Sequence, residues 1–218
     1  MKIKMTRQIA TIIVLALSVM AIFGGRWITG FYGKGHKLIL ENKKSKGNPD
    51  AGIKIVEYTD FQCSACSVGA NVLHEFMNLY SDQIFLTYRH YPLPSLHPYA
   101  VKMATYAECS AKQEKFWAYH DYLFENARVI SRSISPVAKM LGQAEQMQLD
   151  MEKFKVCVES SEAELTVLQE KDAGKKLGVR ATPTYFLNGE MVVGSGNIKK
   201  ELEKILGIPT KAPKDEKN

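Results

Sequence analysis

Ile53-Lys54-Ile55-Val56-Glu57-Tyr58, followed closely by Phe61-Gln62-Cys63-Ser64-Ala65-Cys66, is the most informative stretch of the chain. Its first part is rich in β-branched residues and predicts a strand. Two thiols three positions apart can lie on the first turn of a helix that follows this strand. The helix N-terminus favours a thiolate on the first sulfur, and the second sulfur is within reach to close a disulfide. We therefore expect Cys63 to be a nucleophile and Cys66 its partner.

The segments that follow alternate between helical and strand patterns. They are, in order, a helix over 64–80, a strand over 84–90, a helical block over about 96–177, two strands over 184–187 and 191–193 joined by Asn188-Gly189, and a helix over 198–206. A strand–helix–strand unit of this kind predicts a right-handed crossover. The whole order is that of an α/β thioredoxin fold with a helical insertion.

The basic residues of the chain are concentrated at its N-terminus. The formal net charge is +6, and residues 1–26 contain Lys2, Lys4, Arg7 and Arg26 without any Asp or Glu. Because the rest of the chain is close to balanced, we expect no binding to nucleic acid.

Residues 1–26 predict a membrane anchor. An apolar run over 9–23 follows three basic residues and approaches the roughly 18 residues needed to span a bilayer. No small-residue cleavage site follows it, which favours an uncleaved signal anchor over a cleaved signal peptide. The basic flank would stay in the cytoplasm. The folded part would then lie outside the cytoplasm, in the periplasm or at the outer face of the cell membrane, where disulfides persist.

Composition divides the remainder of the chain into three parts. Residues 27–50 are rich in Gly, Lys and Asn and predict a linker. Residues 51–206 form the predicted folded domain, with its insertion over about 96–177. Residues 207–218 predict a polar tail.

Glu57 and Asp60 are the acidic residues nearest the two thiols. Strand alternation leaves two placements open for Glu57. In the interior beneath the sulfurs, burial would raise its pKa and let it relay the proton of Cys66; the alternative is an ordinary solvent-facing strand residue. Asp60 is expected to cap the helix that begins near Cys63.

Thr182-Pro183 stands where a turn enters a strand. A cis bond there would point backbone groups of Thr182 toward an incoming chain, and the presence of a Cys-x-x-Cys motif favours cis over the commoner trans form. Cys109 and Cys157 are the two other cysteines. An even cysteine count in an oxidising compartment suggests that they pair, and two free buried thiols are the alternative.

Together these stretches resemble the DsbA-like thiol:disulfide oxidoreductases of the thioredoxin superfamily. The resemblance covers residues 47 to about 206, and the matching motifs lie at 47–51, 56–66, 88–93, 116–120 and 178–186. It implies that Cys63 is the exposed nucleophile, Cys66 its partner, Thr182-Pro183 the cis-proline loop that meets substrate, and Glu57 a buried acid. A second cysteine pair in the helical region, here Cys109 and Cys157, is also common in the family.

One departure from the family pattern concerns the residues between the two cysteines. Strongly oxidising relatives commonly have proline and histidine there, whereas this chain has Ser64 and Ala65. The missing imidazole removes one stabiliser of the thiolate, so the direction of electron flow stays open.

The expected function is formation of disulfides in reduced exported proteins, without a cofactor. A membrane quinone-linked partner would reoxidise the cysteine pair, and the chain is expected to be a monomer. A reductase or an isomerase in the same compartment is one alternative. A soft-metal carrier, such as a copper carrier using the Cys-x-x-Cys, is another, although no further Cys or His lies close enough in sequence to predict a complete metal site.

Overall fold

The computed structural model describes residues 43–209. The predicted anchor over 1–26, most of the predicted linker and the end of the predicted tail lie outside the described residues. Between residues 43 and 209, no helix is both long enough and apolar enough to cross a membrane.

The described part contains a five-stranded mixed sheet. Its strands are β1 (Ser45–Gly47), β2 (Ile53–Thr59), β3 (Ile84–His90), β4 (Thr184–Leu187) and β5 (Glu190–Val193). They lie in the order β1-β3-β2-β4-β5, with β2 and β3 parallel and every other neighbouring pair antiparallel. The predicted strands over 53–58, 84–90 and 184–187 are therefore confirmed, and Asn188-Gly189 forms the predicted hairpin turn with positive φ at both residues.

Seven helices surround this sheet within the described residues. They are α1 (Ser64–Tyr80), α2 (Ala100–Ala111), α3 (Phe116–Ser131), α4 (Pro136–Gln146), α5 (Met151–Glu159), α6 (Ser161–Lys176) and α7 (Ser195–Ile205). The crossover helix α1 links β2 to β3, and α2 to α6 form the predicted insertion between β3 and β4. The thioredoxin fold with a helical insertion is confirmed.

Two apolar clusters make up most of the core of the described residues, and the cysteine pair belongs to one of them. One joins the sheet to α1 and α7 and contains Ile55, Leu73 and Ile198. The other fills the insertion and extends to Phe61 and Cys66 at the start of α1. The second cysteine is therefore part of the core that attaches the insertion to the sheet.

The predicted linker over 27–50 is wrong for its last residues. Ser45–Gly47 is the edge strand β1, which pairs with β3. The preceding Lys44 is only 4% exposed, and its ammonium group lies 2.6 Å from Glu108 and 2.8 Å from Glu170. The lysine-rich composition suggested a solvated linker. The buried contacts of Lys44 were missed because both acidic partners are distant in sequence.

A disulfide joins Cys109 in α2 to Cys157 in α5, with the Cα atoms 5.8 Å apart. This is the predicted pairing, and it lies within the insertion. Cys63 and Cys66 are free thiols in this structure.

Candidate active site

The fold places Cys63 at the N-cap of α1 and Cys66 in its first turn. Cys63 has an extended backbone, and its carbonyl accepts the Cys66 N–H at 3.0 Å. Cys63 is half-buried, whereas Cys66 is only 1% exposed. The first cysteine is therefore accessible from solvent, and the second is not.

The two thiols have opposite pKa shifts. The pKa of Cys63 is lowered to about 5, chiefly because the Cys66 thiol donates a hydrogen bond to its thiolate. Partial burial opposes this effect, and the Thr182 side chain and the backbone N–H groups of Ala65 and Cys66 reinforce it. Burial, and then the hydrogen bond to Cys63, raise the pKa of Cys66 far above its usual value. At neutral pH the pair therefore holds one negative charge, on the accessible sulfur.

The loop before β4 lies beside Cys63. The Thr182-Pro183 bond is cis, as predicted, and the Cys63 sulfur lies 3.5 Å from the Thr182 carbonyl oxygen, to which it donates only when protonated. Gly69 in α1 allows β4 to approach, since a Cβ at that position would collide with the Tyr185 hydroxyl and lie 3.5 Å from Pro183. The structure thus brings Cys63, Thr182 and Pro183 together.

Glu57 lies in the interior, which excludes the solvent-facing placement. It is 2% exposed, and the strand register puts it between Tyr88 of β3 and Tyr185 of β4. Burial raises its pKa to about 8, while Lys46 lowers it and Asp121 raises it further. Burial chiefly raises the pKa of Tyr88 and of Tyr185, and both Glu57 and Cys66 raise it further, so these two groups act on the same small region.

The hydroxyl groups of Tyr88 and Tyr185 are buried and have no hydrogen-bond partner among the described residues. They lie on either side of Glu57 in the sheet, under the helix that carries Cys66. Glu57, Tyr88 and Tyr185 come from three different strands, so no local sequence pattern predicts that they lie side by side.

Asp60 does not cap α1, so that prediction is wrong. Its carboxylate accepts the backbone N–H groups of Gln62 and Leu93, each at 2.8 Å, and lies 2.8 Å from Nδ1 of His97. Asp60 instead attaches the Cys-x-x-Cys loop to the segment after β3. Sequence reasoning missed this role because His97 lies 37 positions further along the chain.

Gln62 is a second residue whose role was missed. Its Nε2 donates to the Ser131 hydroxyl at 2.7 Å, and its Oε1 accepts the Tyr99 backbone N–H. Gln62 directly precedes Cys63, so these hydrogen bonds connect the Cys-x-x-Cys loop to α3 and to the start of α2. Between residues 43 and 209, no group of three or more His, Cys, Asp or Glu side chains is placed to hold a metal ion.

A family model described as thioredoxin matches residues 41–206. The chain belongs to the thioredoxin family. Among solved structures, alpha-DsbA1 of Wolbachia pipientis aligns with a TM-score of 0.64 at 23% identity, covering 76% of this chain and 89% of that one. BdbD of Bacillus subtilis aligns with a TM-score of 0.60 at 18% identity, covering 77% and 95%. The fold of this thioredoxin family member is therefore DsbA-like.

The curated relatives include much longer proteins. The Na(+)/H(+) antiporter NhaA 1 of Salinispora arenicola is 32% identical over 154 residues, which is 71% of this chain and 23% of that protein. The NhaA 1 of Mycolicibacterium vanbaalenii is also 32% identical, over 83% of this chain and 30% of that protein. The chain thus spans about a quarter of the length of the curated relatives that it matches.

Proposed function

We propose that this thioredoxin family member is an extracytoplasmic thiol:disulfide oxidoreductase that forms disulfides in reduced exported proteins. One observation carries the proposal: an accessible Cys63 with a pKa lowered to about 5 beside a buried Cys66 with a strongly raised pKa. Stabilising the Cys63 thiolate stabilises the reduced pair, which makes the Cys63–Cys66 disulfide a stronger oxidant. The Cys66 thiol, the helix N-terminus and Thr182 supply this stabilisation without a histidine between the cysteines.

The reaction passes two electrons from a substrate dithiol to the cysteine pair. A substrate thiolate attacks the Cys63 sulfur, the Cys63–Cys66 bond breaks, and Cys66 leaves and takes up a proton. The second substrate thiolate then attacks the substrate sulfur of the mixed disulfide. Cys63 leaves as a thiolate, and its low pKa makes it a good leaving group.

Glu57 is the proposed source of the proton that Cys66 takes up. A carboxyl with a pKa of about 8 is largely protonated at neutral pH and can donate when Cys66 is released. The backbone of Thr182, next to the cis Pro183, is the proposed docking point for the substrate main chain near its cysteine.

Turnover requires that the reduced pair lose its two electrons again. We propose a membrane quinone-linked protein as the partner that reoxidises it, with residues 1–26 anchoring the chain near that partner. The Cys109–Cys157 disulfide supports a location outside the cytoplasm, because structural disulfides persist mainly in oxidising compartments.

The equilibrium potential tests the direction of electron flow. Equilibrating the chain with glutathione buffers should place the Cys63–Cys66 couple nearer to the roughly −120 mV of strong oxidants than to the roughly −270 mV of thioredoxin. A value well below about −250 mV would instead favour a reductase.

Trapping in cells tests the exchange chemistry itself. The Cys66→Ala variant should accumulate mixed disulfides between Cys63 and exported proteins, and the Cys63→Ala/Cys66→Ala variant is the matched control. If no partner is trapped and the purified chain binds one equivalent of Cu(I), the soft-metal carrier replaces this proposal.

A further inference from the structure

A groove opens beside Cys63, between the start of α1 and the helix α3. It has a volume of about 410 Å³. Phe61, Cys63 and Ser67 lie along one wall, and Phe124, Arg128 and Arg132 lie along the other. The proposed function uses Cys63 and the cis-proline loop but assigns nothing to this second wall.

Both walls of the groove are held in place before any substrate arrives. The Phe61 and Phe124 rings lie 4.8 Å apart at the base, and Gln62 connects the first wall to Ser131 of α3. Because the frame is already ordered, a bound segment need not reorganise it, which lowers the entropic cost of binding.

The wall formed by α3 has an excess of positive charge. Arg128 and Arg132 are exposed, lie one helical turn apart, and form no ion pair or side-chain hydrogen bond with any described residue. Glu125, one turn earlier, is the single acidic residue on the same wall. Cations near a helix C-terminus also interact favourably with the helix dipole. That effect alone does not require both arginines to line a groove that contains the reactive thiol.

We propose that this groove binds the part of the substrate chain next to the reacting cysteine, and that Arg128 and Arg132 select an acidic residue there. A guanidinium group presents a planar set of donors that matches a carboxylate. This inference rests on the proposed function, because it names the sequence preference of the proposed exchange reaction.

The test compares oxidation of matched peptides by the oxidised full-length chain. Each reduced peptide has the same two cysteines and one Asp at a different distance from the first cysteine, and each is paired with its Asn counterpart. The rate of peptide oxidation is followed by acid quenching and chromatography. At one position the Asp peptide should react about threefold faster than its Asn partner, and added salt should reduce that ratio.

Two variants and one control assign the preference to the groove. In Arg128→Gln/Arg132→Gln the Asp-to-Asn ratio should fall to about one, whereas Glu125→Gln should raise it. The control Lys155→Gln/Lys200→Gln removes two exposed positive charges outside the groove and should leave the ratio unchanged. Since each ratio compares two peptides with one enzyme, any change in the Cys63 pKa or in the redox potential cancels.

The outcomes separate this inference from the proposed function. If Asn peptides are oxidised but no position shows an Asp preference, or the preference survives in Arg128→Gln/Arg132→Gln, the inference is overturned and the exchange activity stands. If no peptide is oxidised at all, the proposed function fails and the inference fails with it.

Discussion

Cys63 and Cys66 share one turn of helix, yet their sulfurs differ sharply in acidity. Proximity alone does not separate them, because each is the hydrogen-bond partner of the other. The difference arises because Cys66 is part of the apolar core of the insertion, while Cys63 remains partly open to solvent. Burial keeps the second thiol protonated, and that proton then stabilises the charge on the first sulfur.

Titration of the reduced chain should show this coupling. We expect the Cys63 thiolate to form with a pKa of about 5, read from thiolate absorbance or from the pH dependence of alkylation. In Cys66→Ala that pKa should rise by about one unit or more, since a charge-assisted hydrogen bond is lost. Cys63→Ala should show no thiolate titration near pH 5. A Cys63 pKa near 8.5, or one unaffected by Cys66→Ala, would contradict the proposed stabilisation.

Glu57 should make the folded state less stable as the pH rises. Its folded pKa of about 8 lies above the unfolded value of about 4.3, so its contribution to stability is complete below about pH 4.3 and is lost as the pH approaches 8. In urea unfolding, the free energy of unfolding of Glu57→Gln should therefore be a few kcal/mol higher than that of the wild type near pH 8 and equal to it near pH 4. If the wild type and Glu57→Gln had equal free energies of unfolding at both pH values, folding would not raise the pKa of Glu57, and this prediction would be wrong.

The same variant should affect the chemistry. Without the carboxyl proton, release of Cys66 during substrate oxidation should slow by about tenfold or more. The slowing should be greatest below pH 8, where Glu57 is protonated in the wild type. A rate–pH profile that is unchanged in Glu57→Gln would remove Glu57 from the mechanism and leave it with a structural role.

At the scale of elements, the edge strand β1 is attached to the insertion by buried charges. Lys44, just before β1, contacts Glu108 of α2 and Glu170 of α6. Arg89 of β3 lies 2.6 Å from the same Glu170, and His90 lies 3.1 Å from Glu108. Burial lowers the pKa of His90, so its contact with Glu108 is a hydrogen bond of the neutral ring. Two helices of the insertion, strand β3 and the residue before β1 therefore share one network of ion pairs and hydrogen bonds.

Removing the cation should destabilise this network strongly. Lys44→Met leaves two carboxylates in a largely buried site, and we expect a loss of about 3 kcal/mol in the free energy of unfolding. Lys44→Met/Glu108→Gln should recover part of that loss, and the difference measures the coupling of the pair. The exposed Lys155→Met, which has no ion pair within the described residues, is the control. A loss no larger than that of the control would mean that the network contributes little.

At the scale of the whole described domain, the sheet and the insertion contribute different parts of the site. The thioredoxin-like part supplies Cys63, Cys66, Glu57 and the cis-proline loop. The insertion buries Cys66 and supplies the α3 wall of the groove. Its own covalent link, Cys109–Cys157, joins two helices that carry neither reactive thiol and closes a loop of 48 positions.

The two cysteine pairs should therefore have separable effects. Cys109→Ala/Cys157→Ala should lower the free energy of unfolding by about 4 kcal/mol in the chain-entropy model, as measured by urea titration. The Cys63 pKa and the rate of peptide oxidation should remain close to the wild type at temperatures where the variant is folded. A large change in either property would show that the insertion disulfide also sets the geometry of the reactive pair.

Local sequence patterns were sufficient for the order of strands and helices after β1, the position of Cys63 at a helix start, and the turn at Asn188-Gly189. Each depends on neighbouring residues, whose side-chain periodicity and backbone preferences are visible in a short window. The Cys-x-x-Cys spacing and Thr182-Pro183, together with the matching motifs at 47–51, 88–93 and 116–120, were sufficient for the family resemblance.

Tertiary contacts decided the rest. Folding placed Glu57 inside rather than outside, made Asp60 a partner of His97 rather than a helix cap, and converted Lys44 from a linker residue into the centre of an ionic network. It also turned Arg128 and Arg132 toward the groove of Cys63. Charge and burial act through space, and the groups that set them here lie tens of residues apart, so no local pattern encodes which partners will meet.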